Sequence, residues 1–193
     1  MKEHSILFTA YNIRSIRRLM KKETRRLKAT PDRYKNWQIG DHLWVREAFA
    51  RNIPGCEDQN GITYRADHDD PRGDGPANPI KWLSPYHMSR KEARMVLEIT
   101  DKREQRLQDI SIVDAIHEGV PDTWGGWFGK APKWAVDSIM GHGDASGDHI
   151  WANRSSIENY RLMWESINGA GSWDDNPEVY AFSFKWLPEK SIV

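Results

Sequence analysis

The chain is short of several things, and each shortage excludes a class of protein. It has one cysteine, Cys56, in 193 residues, so it can form neither an internal disulfide nor a cysteine-built metal site. Neither sign of charge predominates, with 28 Lys and Arg against 28 Asp and Glu. A uniformly basic nucleic-acid coat and a polyacidic disordered tail are both excluded. Long apolar runs are also missing. The stretch Ser5 to Ala10 falls far short of the roughly 20 residues that cross a bilayer, and it lacks the long apolar middle of a secretory signal. A soluble cytoplasmic protein with no membrane partner is therefore expected. Tryptophan is abundant: ten of them, in a chain that is 38% hydrophobic with a mean hydropathy of −0.77, are enough to build a core. The length suits a single domain over 1–193 with an insertion at 121–150, rather than two ordinary domains.

Charge is neutral in sum but not in place. Residues 1–35 carry eleven Lys and Arg against three Asp and Glu, which leaves 17 against 25 for the rest. Arg14, Arg17, Arg18, Lys21, Lys22, Arg25, Arg26 and Lys28 follow one another almost without break. Such a strip gathers phosphates by displacing counterions from nucleic acid. It equally suits a solvated helix face balanced by the acidic remainder.

Short strands alternate with short helices along the chain. Ile6–Phe8 is β-prone, and Ile13, Ile16 and Leu19 at spacing three predict a helix over Tyr11–Met20. Gly40-Asp41 signals a turn, and Leu43–Phe49 and Ile62–Ala66 read as strands on either side of a Pro/Gly loop. Met95, Leu97 and Ile99 alternate with Val96, Glu98 and Thr100 as a strand. A short helix is predicted over Ile110–Gly119, capped by Asp109 or Ser111 and stopped by Gly119. Ser155–Ile167 is a longer helix ended by Asn168-Gly-Ala-Gly-Ser172, and Val179–Leu187 is the last strand. With no βαβ rhythm, the pattern predicts an α+β fold: a small mixed β-barrel with flanking short helices. Residues 121–150, with Trp124, Trp127 and Trp134 among six glycines, read as an inserted flap.

Several groups of residues are candidates for chemistry. His142, Asp144, Asp148 and His149 match no closed metal site, so a polar loop is expected there and no metal or cofactor. The glycines after the long helix follow a helix rather than open one, which makes them a C-cap and not a phosphate cradle. Trp164 and Trp186 are expected in the core. Trp37, Trp82, Trp124, Trp127 and Trp173 lie in turn-rich segments, where stacking on a base and packing onto the protein's own surface are alternatives. The most informative run is Lys21-Lys-Glu-Thr-Arg-Arg26, placed at the end of the first helix. Neighbouring cations push a lysine toward its neutral form, and a neutral amine can take a proton from a hydroxyl or a water. Thr24 offers the hydroxyl if the segment turns, because in a regular strand residues 21 and 24 face opposite ways. On these residues alone, a basic surface turn is the expectation.

In its motifs the chain resembles the ASCH-domain family of the PUA-like superfamily, in particular the phage and prophage members. The resembling stretches are Ile6-Leu-Phe8, Lys21-Lys-Glu-Thr-Arg-Arg26, Gly40-Asp-His-Leu-Trp-Val-Arg-Glu47, Tyr64-Arg-Ala-Asp67 and Lys81-Trp-Leu-Ser-Pro-Tyr-His-Met88. Val96-Leu-Glu-Ile-Thr100, Arg106-Leu-Gln-Asp-Ile-Ser111, Glu118-Gly-Val120 and Ile167-Asn-Gly-Ala-Gly-Ser-Trp173 complete the set. The resemblance implies a five- or six-stranded PUA-like barrel that binds RNA or reads modified bases. In some small members it implies hydrolysis of the amide of N-acetylated cytidine by a lysine, a threonine and a glutamate. Those carry over to Lys21, Thr24 and Glu98, with Lys22 standing where the family's usual residue is threonine. Lys22, Arg25 and Arg26 are then expected to bind substrate or nucleic acid, and Tyr64, Trp82 and His87 to grip a base. The alternatives are a non-catalytic module for RNA or single-stranded DNA, and a nuclease.

Overall fold

A computed structural model of the chain describes residues 1–29, 31–55, 57, 58, 60–68, 80–120 and 155–187. The expected flap at 121–150, with its tryptophans and its His/Asp loop, lies outside the described residues. The elements run β1 (Glu3–Leu7), α1 (Ala10–Arg17), β2 (Glu23–Leu27), β3 (His42–Arg46), β4 (Phe49–Arg51), β5 (Ile62–Tyr64) and α2 (Arg65–His68). They continue with β6 (Val96–Arg106), α3 (Ile112–His117), α4 (Ser156–Asn168) and β7 (Glu178–Leu187). Five strands form a mixed sheet in the order β1-β3-β6-β7-β2, and β4 pairs with β5 apart from it. The expected barrel is thus a sheet with β1 and β2 as edges, and hydrogen bonds among the described residues do not close it. None of the described helices is long and apolar enough to cross a membrane.

The chain divides into two compact units. Met1–Arg18, Trp37–Thr100 and Phe184–Val193 form one, and Leu19–Asn36 with Asp101–Ser183 the other. The strands β6 and β7 contribute residues to both.

In the first unit, the Thr9 hydroxyl caps α1 by accepting the Asn12 N–H at 3.3 Å, and Ile13 and Ile16 are buried, as their spacing predicts. The helix stops short of Met20 because Leu19 takes φ +60°, outside the helical region. β1 runs parallel to β3, with Ile6 beside Val45, and β3 runs antiparallel to β6, with Leu43 beside Leu97. All four side chains are buried. The turn into β3 needs Gly40 at φ +85°. Asp41 then accepts the N–H groups of Lys2 at 2.7 Å and Gln38 at 3.1 Å. The same carboxylate meets His4 Nε2 at 3.1 Å, and the His4 ring stacks on Trp37 at 5.1 Å. That tryptophan's partner is therefore within the chain.

Two predicted strands are shorter than expected. Leu43–Phe49 breaks into β3 and β4 around Glu47, whose buried carboxylate takes Arg94 through both oxygens at 2.9 and 3.0 Å. Ile62–Ala66 ends at Tyr64 and turns into α2. Phe49, Ile62, Tyr64 and Met88 pack as one buried cluster. Trp186, expected in the core, is 40% exposed. It lies at the end of β7 beyond buried Phe184, where alternation marks a face but not whether anything covers it.

Glu92 gives the first prediction. Its carboxylate accepts Arg51 Nε at 2.6 Å and the backbone N–H and hydroxyl of Ser89, each at 2.8 Å. Arg51 first, and then Ser89, hold it at about 2 against an ordinary 4.5. A depressed carboxyl contributes stability that is present above pH 4.5 and lost as pH falls toward 2. Because Arg51 is 44% exposed, solvent screening reduces this contribution to about 1 kcal/mol. Urea midpoints of wild type and Glu92→Gln should differ at pH 6 and converge near pH 2. A difference independent of pH would contradict this assignment.

The second unit is built on β2 and β7, which pair antiparallel with Arg25 beside Ala181 and Thr24 beside Phe182. Ser111 caps α3 by accepting the Asp114 N–H at 3.1 Å, and Gly119 turns the chain at φ +87° after it, both as the sequence predicts. α4 is capped by Ser155 and Glu158 reciprocally. It buries Tyr160, Met163 and Trp164. Trp173 is also buried and meets Tyr160 edge-on at 6.1 Å.

Candidate functional site

The run from Lys21 to Arg26 is not a basic surface turn. It enters and forms β2, and Lys21, Glu23, Thr24 and Arg25 are all buried, none more than 4% exposed. Burial of so many charges is tolerated only if each finds a partner of opposite sign. The partners come from α3. Asp114 and Glu118 are four residues apart, so they share the helix face that meets β2.

Glu118 is the centre of the arrangement. Lys21 Nζ donates to Glu118 Oε2 at 2.7 Å and to its backbone carbonyl at 2.8 Å. Arg25 Nη1 donates to Glu118 Oε1 at 3.2 Å and to Glu23 Oε2 at 2.9 Å, and its Nη2 donates to Asp114 Oδ2 at 3.0 Å. Arg103 also holds Glu23 and Asp114. Lys21, Arg25 and Arg103 thereby face Glu23, Asp114 and Glu118, three charges against three. The Arg25 guanidinium also lies 5.8 Å from the centre of the Tyr160 ring. A backbone bond from Lys22 N–H to His117 carbonyl, 2.8 Å, ties β2 to the end of α3.

The electrostatics of Lys21 are decided by burial. Loss of solvent pushes its amine below the ordinary lysine value of 10.5; Glu118 pulls the other way, and the charges of Arg26 and Arg25 add to the push. Burial alone would also raise the Asp114 carboxyl, but Arg103 and Arg25 outweigh it and hold it below 3.8. Burial keeps the Tyr160 hydroxyl protonated, well above 10. The site therefore offers an amine displaced toward its neutral, proton-accepting form and held in place by a carboxylate.

The candidate residues separate as follows. Lys21 and Arg25 meet at Glu118. Thr24 lies on the opposite face of β2, beside Phe182. Arg26 is half-buried and Lys22 exposed on the same segment. Glu98 belongs to the other unit, where its carboxylate meets Lys185 Nζ at 3.1 Å. Tyr64, in that unit too, is buried, with the Arg94 guanidinium 3.9 Å above its ring and its hydroxyl donating to the Glu92 carbonyl at 2.8 Å. Trp82 is half-buried, 6.0 Å from the His68 ring, and His87 is exposed.

No protein-family model matches the chain, and no curated protein matches it. Among solved structures it is similar to an ASCH domain. That domain is from Lactobacillus crispatus JV V101. The two share 11% sequence identity over 96% of this chain and 78% of that one, with a TM-score of 0.41.

Glu118 had no assigned role in the sequence, although it opens one of the resembling stretches. The signal that finds it is the Asp114-x-x-x-Glu118 spacing on a helix whose cap and stop were both legible. Two carboxylates on one face of a short helix call for cations opposite, and the run at 21–26 supplies them.

Proposed function

We propose that the chain is a hydrolase of modified nucleosides or nucleotides that removes the acyl group of an N-acylated cytidine. The observation that carries this reading is the buried Lys21 amine, 2.7 Å from Glu118 and pushed toward its neutral form by loss of solvent. A neutral amine takes a proton from water as the water oxygen bonds to the acyl carbon. The proton then passes to the exocyclic nitrogen of the base as the carbon–nitrogen bond breaks, which yields the free amine and the carboxylic acid. Glu118 keeps the amine in place and balances the ammonium formed in between. Arg25, fixed on the other Glu118 oxygen, aligns that carboxylate and acts as a positioning residue.

The test is release of acetate from N-acetylated cytidine by the purified chain. Lys21→Ala should lower turnover by at least about 100-fold. Glu118→Gln and Glu98→Gln, compared in the same assay, separate the two carboxylates: the larger loss is expected at Glu118. Thr24→Val tests the hydroxyl that the ASCH resemblance makes the nucleophile or the group that places the water. Undiminished turnover in Lys21→Ala would overturn the reading. Oligonucleotide binding with no acetate release would favour a binding module, and chain cleavage would favour a nuclease.

A further inference from the structure

The buried charges of the second unit are not balanced one by one. Arg25 of β2 and Arg103 of β6 face each other across two carboxylates that they share. Glu23 gives one oxygen to each guanidinium, Oε2 to Arg25 Nη1 at 2.9 Å and Oε1 to Arg103 Nη2. A single oxygen of Asp114, Oδ2, accepts both Arg25 Nη2 at 3.0 Å and Arg103 Nη1 at 3.3 Å. The result is a closed ring of two guanidinium groups and two carboxylates, neutral in itself. The Ser183 hydroxyl also donates to Glu23 Oε1 at 3.2 Å, and Asp101 Oδ2 lies 3.3 Å from Arg103 Nε. Glu118 joins the ring through Arg25, and Lys21 joins through Glu118.

Arg103 is the outer member. Its side chain is 40% exposed, against 0% for Arg25. What it does follows from the bonds of Arg25. Those to Glu23 and Asp114 are 2.9 and 3.0 Å, and that to Glu118 is the longest, 3.2 Å. With Arg103 in the ring, Glu23 and Asp114 each have a second cation, and Arg25 has a donor to spare for Glu118. Without it, both carboxylates compete for Arg25. The long bond to Glu118 then yields first, and Glu118 turns to Lys21. The ring also acquires a net negative charge. Both changes favour the ammonium form of Lys21. Among the described residues, Arg26 of β2 and Tyr160 of α4 complete the charged and titratable groups around Lys21 and its partners. Arg26 pushes Lys21 the same way as Arg25, and burial keeps the Tyr160 hydroxyl protonated. Both are present with or without Arg103.

We propose that Arg103 is a positioning residue for the reaction: by sharing Glu23 and Asp114 with Arg25, it leaves Arg25 free to hold Glu118 and keeps the Lys21 amine available as a base. The proposal rests on the hydrolase reading for its effect on turnover, whereas its effect on the amine is measured without substrate.

The experiment titrates the Lys21 Cε signal in ¹³C-lysine-labelled full chain and, in parallel, follows acetate release from N-acetylated cytidine against pH. In Arg103→Gln the Lys21 midpoint should rise by about 0.5 to 1 pH unit. Turnover below both midpoints should fall about 3- to 10-fold, with the fraction of neutral amine, and the deficit should shrink as pH rises. Arg103→Lys restores the charge but not the fork that spans two carboxylates, so it should recover only part of the shift. Arg103→Gln/Asp114→Asn removes one charge of each sign. Although it breaks more bonds than the single variant, it should return the midpoint to within about 0.3 pH unit of wild type. A merely structural role predicts the reverse order. Arg106→Gln, which removes an exposed cation at the end of the same strand, should leave the midpoint in place.

An unmoved or lowered midpoint in folded Arg103→Gln would overturn the proposal. So would a double variant shifted further than the single one, or an equal shift in Arg106→Gln. Should Arg103→Gln fail to fold, Arg103→Lys carries the test: a smaller rise supports the proposal and an unmoved midpoint overturns it. Acetate release with an unmoved Lys21 midpoint defeats this proposal and not the hydrolase reading, and a moved midpoint with no release from wild type defeats that reading.

Discussion

Replacing Glu118 by alanine is expected to lower the unfolding free energy by about 3–5 kcal/mol. The carboxylate is the shared partner of Lys21 and Arg25, whose side chains are 2% and 0% exposed. Removing it strands two buried cations, and the penalty is their unrelieved desolvation rather than the worth of two hydrogen bonds. Arg25 keeps Glu23 and Asp114, while Lys21 loses its carboxylate and keeps only a carbonyl. Chemical denaturation should show a lower urea midpoint with the slope unchanged. The double variant Lys21→Met/Glu118→Leu should recover most of the loss, because an apolar pair of similar size does about as well as a buried ion pair. A loss below about 1 kcal/mol for Glu118→Ala would mean that Lys21 and Arg25 find other partners and that Glu118 is not what relieves their desolvation.

Lys21→Met should reduce the turnover of N-acetylated cytidine by about 100- to 10,000-fold, the usual share of a positioned acid or base. The pH profile is more specific than the loss. Only the neutral amine accepts a proton, so wild-type activity should climb as pH rises, with a midpoint below the ordinary 10.5 because burial pushes Lys21 down. Stability carries the same signature. The unfolded chain holds the lysine proton more tightly than the folded one, so stability rises with pH between the folded value and 10.5. Urea midpoints of wild type relative to Lys21→Met should therefore improve from pH 7 to pH 10. A flat difference would contradict a depressed amine, as would an activity profile that falls with rising pH.

The elements easiest to read in the sequence were those whose apolar residues obey a period. Ile13 and Ile16 mark α1, Leu43 and Val45 mark β3, and Val96, Leu97 and Ile99 mark the buried start of β6. The cap of α3 was legible too, because Ser111 acts locally. β2 was not legible: its residues are Glu, Thr, Arg, Arg and Leu, and nothing in a window of five says that such a strand is buried. Its burial depends on Asp114 and Glu118, 89 and 93 residues from Arg25 in the chain. The extension of β6 through Asp101–Arg106 is hidden for the same reason, since Arg103 is held by Glu23 and Asp114 and not by an apolar face. Lys21 was singled out for its neighbouring cations, yet burial is the larger influence on its amine. Sequence shows which charges are near along the chain, and the fold decides which are out of water.

The most direct test is an NMR titration of the protein with ¹³C-labelled lysine side chains, following each Cε signal from pH 6 to pH 11. One resonance, absent from Lys21→Met, should titrate below 10.5, apart from the other lysines. If every lysine of the folded chain titrates at or above 10.5, the amine on Glu118 stays charged and cannot serve as the base.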